Sequence, residues 1–319
     1  AELLLEEGPE GLDNWTFGKN SQTGIASRAV PTVFLTVAER GEIIIERSRI
    51  VYRPYSSEES TDVVIHKGLL IAPDDQVRKL SLEGAYRDAP FKADFTVGRI
   101  LDLFDLTKAW PVDGVLSFSG AAAAIAGRIG GPEPDQTFDL QVQVKGDRLS
   151  VMNDLLRTDL PDSAAFMVAA DVVLNTRTIS LNDIRASLGS SDMTGQLSLQ
   201  NREGRQKLMG QITANTLQLN DFLFPAKGPL QEQEDSSKPS STGLQASLPF
   251  DADLGVIVNQ WLVGKTELGS VSLTASVRKD LADINSIRIN SFGGTMDARL
   301  KFQLKTPRPQ SSLDAKVTS

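Results

Sequence analysis

Residues 296–305 read MDARLKFQLK, in which Met296, Ala298, Leu300, Phe302 and Leu304 alternate one for one with Asp297, Arg299, Lys301, Gln303 and Lys305. Side chains of a β-strand point to opposite faces in turn, so this period predicts a strand with one apolar face and one wet face. The same alternation recurs in TFDLQVQVKG, which sets Phe138, Leu140, Val142 and Val144 on one side, and in FDADLGVIV, which does so with Phe250, Ala252, Leu254, Val256 and Val258. Further runs of this kind start at Gly41, Lys79, Gly195 and Ser270, and several meet at polar or glycine-bearing turns such as YRDAP, NREG and RKDLA. Neighbouring strands are therefore expected to pair as antiparallel hairpins, giving a mainly β fold: a long antiparallel meander.

Helical periodicity is confined to short pieces that each follow an alternating run: GRILDLFDLTKAW from Gly98, NDLLRT from Asn153 and NDFLFP from Asn220. They read as single turns plugging an edge or end of the sheet, with Asn or Asp at the start suited to capping the first orphan N–H groups. One stretch is of another kind. Residues 225–247, PAKGPLQEQEDSSKPSSTGLQAS, carry little to bury and read as a flexible linker or long loop, dividing the chain into segments 1–224 and 248–319. Across it, IRASLGSSDMTGQLSL from Ile184 and IRINSFGGTMDARLKF from Ile287 resemble one another, which points to a repeated hairpin module with glycine at the corner.

Composition narrows the function classes. At 319 residues and 40% hydrophobic content the chain can bury a sizeable core, while a net charge of −8 is the wrong sign for neutralising phosphates, so nucleic acid is not an expected partner. There is no cysteine, which excludes disulfides and thiolate chemistry and leaves the compartment open. The longest uncharged run, GVLSFSGAAAAIAG, is shorter than the roughly 20 residues of a membrane helix. The opening AELLLEEG has neither the basic flank nor the apolar length of a signal peptide, and SSLDAKVTS reads as another strand beginning, so both ends are expected to have been cut from a longer protein.

A catalytic site has little to stand on, and neither a cofactor nor a metal is expected. The single histidine, His66, lies in a strand-like run and cannot build a zinc site alone. Asp251 and Asp253 share a strand face opposite Ala252 and Leu254, as a solvated face requires. GRIGGP at Gly127 lacks the spacing and the Lys-Ser/Thr pair of a phosphate loop. A carbohydrate-binding or hydrolytic β-protein is disfavoured by the 6% aromatic content and the lack of an acid pair set apart from the strand pattern.

The succession of modules resembles the AsmA-like family of bacterial envelope proteins over most of the chain. NWTFGK at Asn14 to Lys19, IIIERSRIVYRP with LSLEGAYRDAPFKADFTVG, LSVMNDLLRTDLP, IRASLGSSDMTGQLSLQ, TLQLNDFL, the linker, and the run from PFDADLGVIV to MDARLKF carry the resemblance. Each is a strand-and-glycine pattern; their order is the specific feature, and the family's N-terminal membrane anchor is not among them. The resemblance implies a non-enzymatic periplasmic segment tethered to the inner membrane, built from repeating β-groove modules. Its implied role is moving phospholipid between the envelope membranes or maintaining the outer membrane, with envelope proteins as further partners.

Alternation itself fits two arrangements: strands packed on a second sheet as a closed scaffold of the envelope, or a sheet curled into an open apolar groove for acyl chains. The resemblance favours the groove. The residues expected to line it are Phe138, Leu140, Val142, Val144, Leu254, Val256, Val258, Met296, Leu300 and Phe302, each methylene taken from water contributing about 0.8 kcal/mol.

Overall fold

The structure, a computed structural model, describes residues 2–6, 41–55, 60–87, 89–103, 105, 107–131, 136–156, 160, 162–175, 178–202, 205–221, 250–278, 281–303 and 311–318. The sequence linker 225–247 and the NWTFGK stretch lie outside the described residues. Among the described residues the fold is mainly β, with seventeen strands and a few short helical turns. The chain forms two compact units, Ala1–Gly146 with Val151–Leu160, and Asp147–Ser150 with Pro161–Ser319.

The first unit holds β1 (Glu2–Glu6), β2 (Glu42–Arg53), β3 (Thr61–Ile71), β4 (Arg78–Tyr86), β5 (Ala89–Val97), β6 (Trp110–Phe118), β7 (Ala121–Ile129) and β8 (Gln136–Gly146). From β2 to β8 each strand pairs antiparallel with the next, while β1 lies parallel to β2. The corner between β6 and β7 has two residues, Ser119 and Gly120, both at positive φ, the backbone of a tight hairpin. Among the described residues β1 and β8 are the ladder's two ends, so it is open and not closed into a barrel.

The second unit holds β9 (Phe166–Asn175), β10 (Thr178–Leu188), β11 (Ser191–Arg202), β12 (Arg205–Gln218), β13 (Phe250–Val263), β14 (Thr266–Arg278), β15 (Leu281–Ser291), β16 (Gly294–Gln303) and β17 (Ser311–Thr318). It is antiparallel throughout except at β12 and β13, which run parallel. The strands on either side of residues 225–247 bond directly to each other, and the two compact units meet in sequence near residues 147–160.

The two similar stretches share one local build. In β10 the register slips between Leu181 and Ile184, and in β15 between Ile284 and Ile287, each time just before the Ile-Arg pair. The apolar positions step by three at these bulges, so the same face stays apolar despite the extra residue. Both stretches then turn through a two-residue corner, Gly189-Ser190 and Phe292-Gly293. The first corner leaves out Leu188, which still pairs with Ser191 as the last rung of the ladder.

The three helical pieces are present as single turns at Ile100–Leu103 and Leu219–Asp221 and as two consecutive turns at Leu149–Met152 and Asn153–Leu156. Their asparagines serve differently from the expected caps. Asn153 clamps the returning chain, its Oδ1 accepting from the Leu160 N–H at 2.8 Å and its Nδ2 donating to the Leu160 carbonyl. At the third turn it is Asp221 that works: its Oδ2 accepts from the N–H groups of Ser190 and Ser191, at 2.9 Å each, and from both hydroxyls.

Candidate functional site: the apolar faces of the two ladders

Strand register aligns the apolar positions into rows that cross each ladder. In the second unit one row runs Val172, Leu181, Leu197, Gly210, Leu254, Ala275, Ile284, Leu300, Leu313, across all nine strands from β9 to β17. A second runs Val168, Ala186, Met193, Ala214, Val258, Val271, Ile289, Met296, Val317. Val256 stands between them, in a row with Ile212 and Leu273. No charged residue interrupts either row.

The first unit is built alike. Val142 continues through Ile125, Gly114, Phe95, Leu80 and Leu70 to Ile43, and Val144 through Ala123, Leu116, Ala93, Leu82 and Gly68 to Ile45, across the seven strands β2 to β8. Small residues face large ones along the second row, and Gly114 is required: a Cβ there would lie 2.3 Å from the Asp94 carbonyl and 2.4 Å from the Phe95 ring. Leu140 leads through Gly127, Val112 and Val97 to Arg78, and Phe138 through Ile129 to Trp110.

Nine of the ten residues expected at the site are thereby placed: Phe138, Leu140, Val142 and Val144 on the apolar face of the first unit, and Leu254, Val256, Val258, Met296 and Leu300 on that of the second. Phe302 pairs with Ala282 in the β15–β16 ladder, and its side chain lies outside the described residues.

The burial of these faces is unlike that of a packed core. Phe138, Leu140, Val142, Val144, Leu254, Val256, Met296 and Leu300 are each half-buried; Val258 alone of the nine is buried, at 5% exposure. Among the described residues, the side chains less than 2% exposed are Arg78 and Ser191, neither of them apolar. The buried Leu, Ile and Phe side chains stand at strand ends, as Phe118, Phe166 and Leu188 do, or at register slips, as Ile65 and Ile184 do, whereas a sheet packed on a second sheet would bury the central ones.

Polar groups close the ends of the faces. Arg78 is 1% exposed at the end of its apolar row, where its Nη1 donates to the carbonyls of Asp74 at 2.8 Å and Val77 at 2.7 Å. Asp74 folds that turn by accepting from the N–H groups of Val77 and Gln76, which holds its carboxyl below the usual value. Trp110 is buried beside the first helical turn and donates its indole N–H to the Arg99 carbonyl at 2.9 Å. In the second unit Asp221 holds the Gly189-Ser190 corner shut. Arg78 and Asp221 escaped the sequence reading, since each acts on backbone groups that no periodicity marks; the Asx-type run PDDQVR was the one available cue.

The opposite faces carry charge arranged in pairs across strands: Arg128 with Asp139 at 2.7 Å, Lys92 with Glu83 at 3.3 Å, Arg288 with Asp297 at 2.7 Å and Lys301 with Asp283 at 3.3 Å. Asp251 and Asp253 belong here, bound to Arg205 and to Lys207 with Arg278. His66 is exposed on β3 at a register slip. Among the described residues no group of His, Asp and Glu is disposed to hold a metal ion, and no helix is long and apolar enough to cross a membrane.

No family model matches the chain. Among curated proteins it is similar to the AsmA family protein YhjG of Escherichia coli (strain K12), 25% identical over 190 residues, which make up 56% of this chain and 28% of that protein. The chain thus spans under a third of the relative's length. Together with an open, mainly β ladder built from hairpins, this likeness supports assignment of the chain to the AsmA-like proteins.

Proposed function

We propose that the chain is a non-catalytic, lipid-binding segment of an AsmA-like protein of the bacterial envelope, and that its apolar faces receive the acyl chains of phospholipid. One observation carries this reading: rows of Leu, Ile, Val and Phe run unbroken across seven and nine strands, yet most of their large side chains stay half-buried. An apolar face of that length costs free energy in water and gains when hydrocarbon lies on it, in proportion to the area removed. Straight acyl chains suit rows that are apolar along and across the strands, and a glycerophosphate head group needs only to stay at the wet margin. The similarity to an AsmA family protein supports the same direction. In this reading the segment works in the periplasm, tethered to the inner membrane, and supports lipid passage between the membranes or the upkeep of the outer one.

The test compares neighbours that point to opposite faces. A photoreactive residue replacing Val142 or Leu300 is expected to capture phospholipid from cells, and one replacing Gln143 or Arg299 is not. Phospholipid should also co-purify with the chain under native conditions, read by mass spectrometry. Equal capture from both faces, or lipid no more than trace, would overturn the groove and leave an envelope scaffold.

A further inference from the structure

β15 and β16 meet at Phe292-Gly293, where the second of the two similar stretches departs from the first. Phe292 has φ +48 and Gly293 φ +82, the backbone of a tight hairpin that glycine and asparagine enter readily and a bulky side chain resists. The first stretch keeps to that rule with Gly189 at φ +57, and Asp221 ties its corner down. The second sets phenylalanine at the same step and leaves it 84% exposed. The strained backbone and the hydrated ring each cost free energy, and neither helps the hairpin to form. A ring kept at both costs points to something it meets outside the chain.

The surroundings choose among occupants. From Asn290 to Thr295 the sequence NSFGGT carries no charge. Thr295 Oγ1 donates to Asn290 Oδ1 at 2.9 Å, and Asn290 Nδ2 donates to Ser270 Oγ at 3.1 Å, so these side chains are bonded within the sheet. Behind them Arg288 and Asp297 bind each other at 2.7 Å. The corner can therefore leave water at little polar cost. At the same end of the unit, the corner between β13 and β14 exposes Val263 and Lys265, while Glu267 beyond it accepts from Gln260. An aromatic tip with an apolar side chain and a cation near it suits a layer that is apolar within and anionic at its surface. Ile289 and Met296, next back from the corner, belong to an apolar row that crosses the whole unit. We infer that the Phe292 corner enters the interfacial layer of a phospholipid bilayer and seats that end of the apolar face against it, so that acyl chains pass between bilayer and face without crossing water. This deepens the lipid-binding reading and rests on it.

The chain has no cysteine, so F292C and L281C each take a single environment-sensitive fluorophore at opposite ends of β15. With vesicles of phosphatidylcholine and phosphatidylglycerol, the label at 292 is expected to shift to the blue and to be quenched by a quencher fixed in the acyl region, and the label at 281 to do neither. F292N is expected to bind these vesicles about tenfold more weakly than the parent, and F292W to match it. Because asparagine accepts the positive φ, F292N should also unfold at a higher denaturant midpoint than the parent. An unquenched label at 292, as for a ring that fits a protein pocket, equal responses at 292 and 281, equal vesicle binding by F292N, or a lower midpoint, as for a ring that serves folding, would overturn the inference. A photoreactive residue replacing Leu300 reads the apolar face separately, and should capture dispersed short-chain phospholipid equally in the parent and F292N backgrounds. Capture there without a bilayer response at 292 overturns the corner's role alone; no capture overturns the lipid-binding reading and this inference with it.

Discussion

Asp253 on β13 stands between two cations on neighbouring strands, 2.9 Å from the Lys207 ammonium and 2.6 Å from Nη2 of Arg278. The hydrogen bond from Lys207, with that from Arg278, holds its carboxyl below the ordinary value of 3.8. A depressed carboxyl adds stability that is present above its unfolded value and is lost as pH falls through the folded one. D253N is therefore expected to lower stability at pH 7 and to converge with the parent as pH falls through the lowered folded value, measured by urea unfolding at pH 7 and along an acid series. The carboxyl is 38% exposed, so solvent screening keeps the neutral-pH difference within about 1 kcal/mol.

Replacing Asp221 should cost more. One oxygen takes two backbone N–H groups and two hydroxyls at a corner where Ser191 is 1% exposed, so D221A strands donors that water reaches poorly. A loss of about 2–3 kcal/mol is expected in chemical unfolding of the second unit. D221N, which keeps one acceptor oxygen, should lose less.

The apolar face of the second unit offers two residues that separate lining from packing. Leu300 is half-buried, and L300D should leave the chain folded while abolishing phospholipid capture. Val258, two rows away, is 5% exposed, and V258D sets an unpaired charge where water does not reach. That variant is expected to lose several kcal/mol and much of its cooperative melt, followed by circular dichroism.

Two glycines at positive φ make a second contrast. A Cβ at Gly269 (φ +115) would sit 1.8 Å from the Asn290 carbonyl of the paired strand, whereas at Gly293 (φ +82) it would meet nothing within 4 Å. G293A should cost only the backbone strain, about 1 kcal/mol, and G269A well over 2 kcal/mol because the β14–β15 ladder must open to admit the methyl. Both are read from denaturant midpoints.

Strand identity was legible because alternation is a local property. MDARLKFQ, TFDLQVQV and FDADLGVIV each lie in a strand, with the apolar positions on one side. The helical turns were legible for the same reason, from Ile100 to Asp221. Two things were not. The parallel joins of β1 with β2 and of β12 with β13 depend on where the chain returns after a long excursion, which no nearby residue encodes. Bulges were the other: Asn182-Asp183 and Asn285-Ser286 look like ordinary polar strand positions, and only the three-residue step from Leu181 to Ile184 and from Ile284 to Ile287 betrays the slip. The candidate site was legible as a set of residues and not as a surface, since rows across strands arise from register, to which Leu254, Gly210 and Leu300 contribute nothing visible one at a time.

The hairpin connectivity also dictates how such a chain assembles in time. Most strands bond to the strand made just before them, so ladders lengthen by local zippering, each hairpin ordering as its second arm emerges. The β12–β13 join, like that of β1 with β2, is an exception: the chain between Gln218 and Phe250 must close on itself before any bond between those strands forms. Each doubling of loop length adds about 0.6 kcal/mol to closure, so this join is slower to nucleate than a two-residue corner, and β9–β12 and β13–β17 should each zip before they meet.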